Sequence, residues 1–183
     1  MRTLFRTASL DAGDGRTLFG TVVPFGQVAE VSDGGPRYRE CFERGAFSRT
    51  IRERGDRVRL HAQHNRSQLP LGRATLLRED PEGLFAEFVV SRTSAGDDLL
   101  ALVSDGTVSA FSIGFAPVRE RRDGNVVVRT EVALREVSAV SEPAYAGAAI
   151  AGVRSGEHPL FVPRERLRLA RLAAVPFLPP PEG

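Results

Sequence analysis

With 183 residues, 42% of them hydrophobic and 26% charged, the chain suffices for one domain with a real core and is too short for a second full one. Its 25 basic side chains are all arginine and stand interspersed among 23 acids, leaving a formal charge of +2, which argues against a nucleic-acid-binding face. The single cysteine, Cys41, excludes an intramolecular disulfide, and its neighbours Glu40 and Glu43 disfavour a thiolate, so it is expected to be a small buried residue.

Taken in order, the chain reads as many short strands and two helices. Residues 16–25 (RTLFGTVVPF) are β-rich after a turn-forming stretch, residues 31–36 (VSDGGP) form a loop, and residues 37–42 resume an extended pattern. In residues 45–54 (GAFSRTIRER) the four-residue spacing of Phe47 and Ile51 predicts a short amphipathic helix that Gly55 ends. Residues 56–64 (DRVRLHAQH) alternate Val58, Leu60 and Ala62 against polar neighbours, as a half-buried strand does. Two further strands follow, the second over residues 83–91 (GLFAEFVVS). Thr93 or Ser94 caps a helix over residues 95–104 with Leu99, Leu100 and Val103 as its apolar stripe.

The next stretch, residues 106–117 (GTVSAFSIGFAP), sets Phe111, Ile113 and Phe115 on one face of a strand and Ala110, Ser112 and Gly114 on the other. Ser112 thus lies among small residues, where another backbone can approach it. Asp123 and Gly124 signal a hairpin, and the valine-rich residues 125–140 read as two strands separated by a bend, with Glu136, Ser138 and Val140 on one face. A turn (SEPAYAG) and a small-residue stretch lead to about residue 153. From residue 155 the composition turns basic and then proline-rich, so the expected organisation is a domain over residues 1–154 and a tail over residues 155–183. Neither a signal-peptide-like run nor a bilayer-spanning one is present, which places the expected site of action in the cytoplasm with no membrane partner.

The runs FGQV, RYRECFERGAF, HAQHN followed by PLGR, SAFSIGF and LREVSAVSEPAYAGA, in this order over roughly residues 18–153, resemble the tailed-phage prohead protease family. The resemblance implies a β-rich α+β fold like that of herpesvirus assemblin: a small closed β-barrel of about six to seven strands flanked by helices. It implies a serine endopeptidase that matures procapsids inside the host bacterium; no metal is expected, since the sequence has no further Cys or His cluster, and no cofactor is expected. Its substrates and partners would be scaffold, the scaffolding segment of the major capsid protein, and the protease itself; a homo-oligomer stays open.

Carried onto this sequence, the family's histidine falls on His64 and the serine of its S-x-G-F motif on Ser112. Chemistry supports the pairing, since a serine hydroxyl needs a neighbouring base and imidazole titrates near neutrality. A third group must orient the imidazole. The acid of the E-V-S motif, Glu136, is the first candidate and Glu142, beside Pro143, the second. His61 competes with His64, although strand alternation puts the two on opposite faces unless the strand ends between them. By analogy with assemblin, backbone amides of Ala144 or Tyr145 would supply an oxyanion hole. Two rival functions are a catalytically inactive capsid-assembly or scaffold protein of the same fold and a carboxylate-based hydrolase using Glu136 and Glu142. The absence of tryptophan speaks against a sugar-binding surface for the latter, and cleavage of co-expressed capsid protein separates all three.

Overall fold

The computed structural model describes residues 15–32 and 34–154, and the tail expected over residues 155–183 lies outside them. Nine strands and two helices follow one another along this part of the chain: β1 (Thr17–Pro24), β2 (Ala29–Val31), β3 (Tyr38–Phe42), α1 (Ser48–Arg54), β4 (Arg59–Ala62), β5 (Gly72–Glu79), β6 (Gly83–Val90), α2 (Ser94–Ser104), β7 (Ala110–Asp123), β8 (Val126–Val140) and β9 (Ala149–Arg154). A 3-10 turn over Gly55–Arg57 connects α1 to β4. None of the described helices is long and apolar enough to cross a membrane.

The strands belong to one sheet with the order β2-β3-β8-β4-β5-β6-β1-β9, and β7 also pairs with β8. Nine strands thus enter a curled half-barrel sheet where a closed barrel of six to seven strands was expected. The ladder path is open, ending at β2 and β9, and the sheet curls until Ile150 N–H of β9 donates to Ser109 C=O at the entrance to β7 (3.0 Å). Phe42, Phe47, Phe88 and Phe111 are fully enclosed in the resulting core with Leu18, Leu60, Leu84 and Leu134. The phenylalanine ring of Phe42 contacts those of Phe47, Phe115 and Tyr145 at centroid distances of 5.4, 5.2 and 5.7 Å.

A correction concerns β8, which is one strand of 15 residues rather than two with a bend. Nothing within it is glycine or proline, and its irregularities are taken up as register shifts against β7, one of them beside Pro117, which has no N–H to give a ladder. On its other side β8 changes partner. Residues 126–129 pair in parallel with β3 and residues 137–139 in parallel with β4. Helix α1 covers the gap between them: the Thr50 hydroxyl donates to Val132 C=O (3.2 Å) and accepts from Leu134 N–H (3.1 Å), satisfying backbone groups that have no strand there.

Beside this gap lies a buried polar cluster. The Arg129 guanidinium donates to Glu40 (2.7 Å) and Tyr38 (3.1 Å) and also bonds Glu120, while the Tyr145 hydroxyl donates to the other Glu40 oxygen (2.9 Å). Arg129 and Glu40 are both buried, so deleting the cation strands a desolvated carboxylate. Arg129→Ala is expected to destabilise the fold by about 3–5 kcal/mol, measured as a shift in the urea midpoint. A change within 1 kcal/mol, on the order of a surface substitution, would contradict this.

Candidate active site

His64 reaches the site because β4 stops at Ala62. Gln63 and His64 then take left-handed backbone angles (φ 49° and 56°), which interrupts the strand's alternation. Such angles cost an L-residue on the order of 1–2 kcal/mol each and need support from their surroundings. That support is visible: Gln63 N–H donates to Ala139 C=O (3.1 Å), Asn65 N–H to Ala62 C=O (2.9 Å), and His64 N–H to the Ser138 hydroxyl (3.1 Å).

Ser112 and Glu136 come from the antiparallel pair β7 and β8, where Ser112 lies opposite Ser138 and Gly114 opposite Glu136. The small face of β7 is therefore roofed by the Glu136 carboxylate. A Cβ on Gly114 would lie 2.4 Å from Glu136 Oε1, so the position has room only for glycine as long as the carboxylate stays where it is. The imidazole of His64 bridges the two strands, with Nδ1 2.7 Å from Glu136 Oε1 and Nε2 2.8 Å from Ser112 Oγ. Glu136 is almost completely enclosed (side chain 3% exposed), whereas His64 opens to solvent (43%).

The hydrogen bond with Glu136 raises the His64 pKa above its ordinary value, burial opposes the shift, and the carboxylate's charge adds to it. A histidine acting as general base must be neutral, so activity depending on it grows as pH climbs through the raised pKa. The acid limb of kcat/KM is expected to have its midpoint above 6.5, the ordinary imidazole value. A pH–rate profile with its midpoint at or below that value would be inconsistent with a general base held in the His64–Glu136 contact.

Ser112 and His64 open onto a cleft of about 440 Å3 whose walls include Val22, Val23, Ile113, Phe115, Ala144 and Tyr145. Glu40 also borders it, already engaged by Arg129 and Tyr145. Burial first, and then the Glu40 charge, hold the Tyr145 phenol far above its ordinary pKa, so its hydroxyl stays protonated and tied to Glu40. A second cleft of the same volume, lined in part by Arg59, Arg73 and Arg92, contains none of the three converging residues.

The other sequence candidates lie apart. Glu142 is exposed in the turn after β8, and the carboxylate bonded to His64 Nδ1 is that of Glu136. His61 pairs in register with Ser138, and its buried Nδ1 has no hydrogen-bond partner among the described residues. Cys41 is buried, and desolvation is the main reason its thiol pKa is raised. No group of three His, Cys, Asp or Glu side chains converges as a metal site among the described residues. Sequence reasoning placed Ser138 on the face of Glu136 without giving it a task; the hydroxyl inside the E-V-S motif was the available signal.

The chain matches the family model described as caudovirus prohead serine protease over residues 4–160. It belongs to that family. Among curated relatives the chain is similar to the prohead protease of Enterobacteria phage HK97, with 30% identity over 117 residues that make up 61% of this chain and 51% of the relative. It thus spans about half the length of the relative it matches. Solved structures similar to it include the bacteriophage T4 capsid assembly protease (13% identity, TM-score 0.47, 70% of this chain and 98% of that one). Another is KSHV protease in complex with a hexapeptide phosphonate inhibitor (12% identity, TM-score 0.41, 73% of this chain and 62% of that one).

Proposed function

We propose that this prohead-family chain is a serine endopeptidase that matures phage procapsids, cutting scaffold, the scaffolding segment of the major capsid protein and itself. The observation that carries the reading is the continuous hydrogen-bonded chain from Ser112 through His64 to Glu136 at the mouth of an apolar cleft. Each member has a definite task. Nδ1–H of His64 donates to Glu136, which leaves Nε2 with a lone pair aimed at the Ser112 hydroxyl.

As Ser112 Oγ attacks the scissile carbonyl, its proton passes to Nε2, and the imidazolium that forms is stabilised by the Glu136 carboxylate. The carbonyl oxygen becomes an oxyanion, for which the backbone amides of Ala144 or Tyr145, both beside the cleft, are the proposed donors. His64 then returns the proton to the leaving amine as the C–N bond breaks. Water, deprotonated by the same nitrogen, hydrolyses the acyl-serine and frees the enzyme. The apolar walls of the cleft suit an apolar substrate side chain next to the scissile bond, since an acidic one would meet the Glu30 and Glu40 side of the cleft.

The test is co-expression with the capsid and scaffold proteins of the same phage, followed by intact-mass analysis. New termini adjoining an apolar residue are expected. Full-length capsid protein and scaffold beside a folded protease would favour the inactive assembly protein instead.

A further inference from the structure

The carboxylate of Glu136 must keep one oxygen on His64 throughout the reaction, and a glutamate has three side-chain torsions to hold in place. Ser138, two residues further along β8, is wholly buried, and its hydroxyl donates to Glu136 Oε2 at 2.7 Å. A hydroxyl has one proton and two lone pairs. With the proton committed to Glu136, a lone pair remains to accept the His64 backbone N–H at 3.1 Å. The two bonds thereby set each other's direction.

We infer that Ser138 is a positioning residue for peptide hydrolysis: it clamps the Glu136 carboxylate edge-on to His64 and anchors the left-handed turn that carries the imidazole. The inference rests on reading Ser112, His64 and Glu136 as the catalytic triad. Gly114 completes the clamp from β7, because only a residue without a Cβ leaves the space that Oε1 occupies. One carboxylate oxygen thus faces His64 and Gly114, the other Ser138, and rotation of the carboxylate breaks a bond at each end. Solvent cannot take over from Ser138, which has no exposed surface. Across the sheet Ser138 stands in register with both Ser112 and His61, between the strand that carries Ser112 and the strand that leads to His64.

Substituting Ser138→Ala removes the clamp while retaining nearly the same volume. Among the described residues, Glu136 on β8 bonds His64, and Glu30 on β2 and Glu40 on β3 line the same cleft, the last held by Arg129 and Tyr145. Loss of the clamp therefore acts on the His64–Glu136 contact. The expected result is a fall in kcat of about 10- to 100-fold, as for loss of one hydrogen bond to a charged group, with KM within about twofold of wild type. The acid limb of the pH profile is expected to move down toward the ordinary imidazole value as the carboxylate turns away. A low-field imidazole N–H proton resonance is expected in the wild type and should weaken or vanish in the variant.

Gly114→Ala, which displaces the same carboxylate from the opposite side, should give the same three changes and serves if Ser138→Ala does not fold. A kcat within twofold of wild type, or a lowered kcat with an unmoved limb and an unchanged resonance, overturns the proposal. So does the absence of the resonance from the wild-type protein. If the wild type cleaves nothing, the triad reading fails, and the resonance in the two variants still decides whether the clamp exists.

Discussion

Ser112→Ala is expected to fold like the wild type and to lose cleavage by about a millionfold, the loss associated with removing the nucleophile of a serine triad. The exchange deletes one oxygen from a half-buried side chain and leaves the core residues flanking it, Ala110 and Phe111, untouched. Removal of Oγ is expected to end the reaction because, among the described residues, Ser112 is the hydroxyl bonded to His64 Nε2. Ser138 lies across the ladder from Ser112, but its proton is committed to Glu136 and it is fully enclosed. His64→Ala should match this loss, since losses of residues acting as one unit do not add. Turnover of the capsid substrate by purified Ser112→Ala at even a hundredth of the wild-type rate would remove Ser112 from the mechanism.

The second large effect distinguishes the two acids. Glu136→Gln keeps the shape of the buried side chain and its bond from Ser138, but an amide cannot stabilise the imidazolium, and it can hold His64 in the wrong tautomer. A loss of about ten-thousandfold in kcat is expected, as when the orienting acid of a serine triad becomes an amide. Glu142→Gln, in an exposed turn, should cost no more than a fewfold. Both are measured on one substrate with folding checked by circular dichroism, and a larger loss from Glu142 would mean that the turn rearranges to bring that acid onto His64.

Much of this site could be read from local pattern. Alternation placed Ser112 and Gly114 on the small face of β7, and it put Glu136 and Ser138 together on β8, because a strand's side chains repeat every two residues. Thr93 was legible as a helix cap, and its hydroxyl accepts from Gly96 N–H (3.1 Å). What periodicity could not supply was pairing across the sheet. The parallel partners of β8 lie roughly 80 residues away in sequence, so neither its unbroken 15-residue length nor the use of Thr50 in place of a strand can be seen in a local window. The open ladder path was hidden for the same reason, since sheet closure is a relation between β2, β9 and β7 and belongs to no single segment. His64 was found by resemblance while local pattern was equivocal, because its turn consists of non-glycine residues in left-handed conformation, which the sequence does not announce.

The most direct test of the Ser112–His64–Glu136 account is reaction of the folded protein with an aryl fluorophosphonate, followed by peptide mass mapping. An activated serine oxygen attacks phosphorus and expels fluoride, so a single phosphonyl group is expected on Ser112, formed rapidly in the wild type and not detectably in His64→Ala or in urea-unfolded protein. Labelling at another residue, or equal labelling of Ser112 in wild type and His64→Ala, would contradict it.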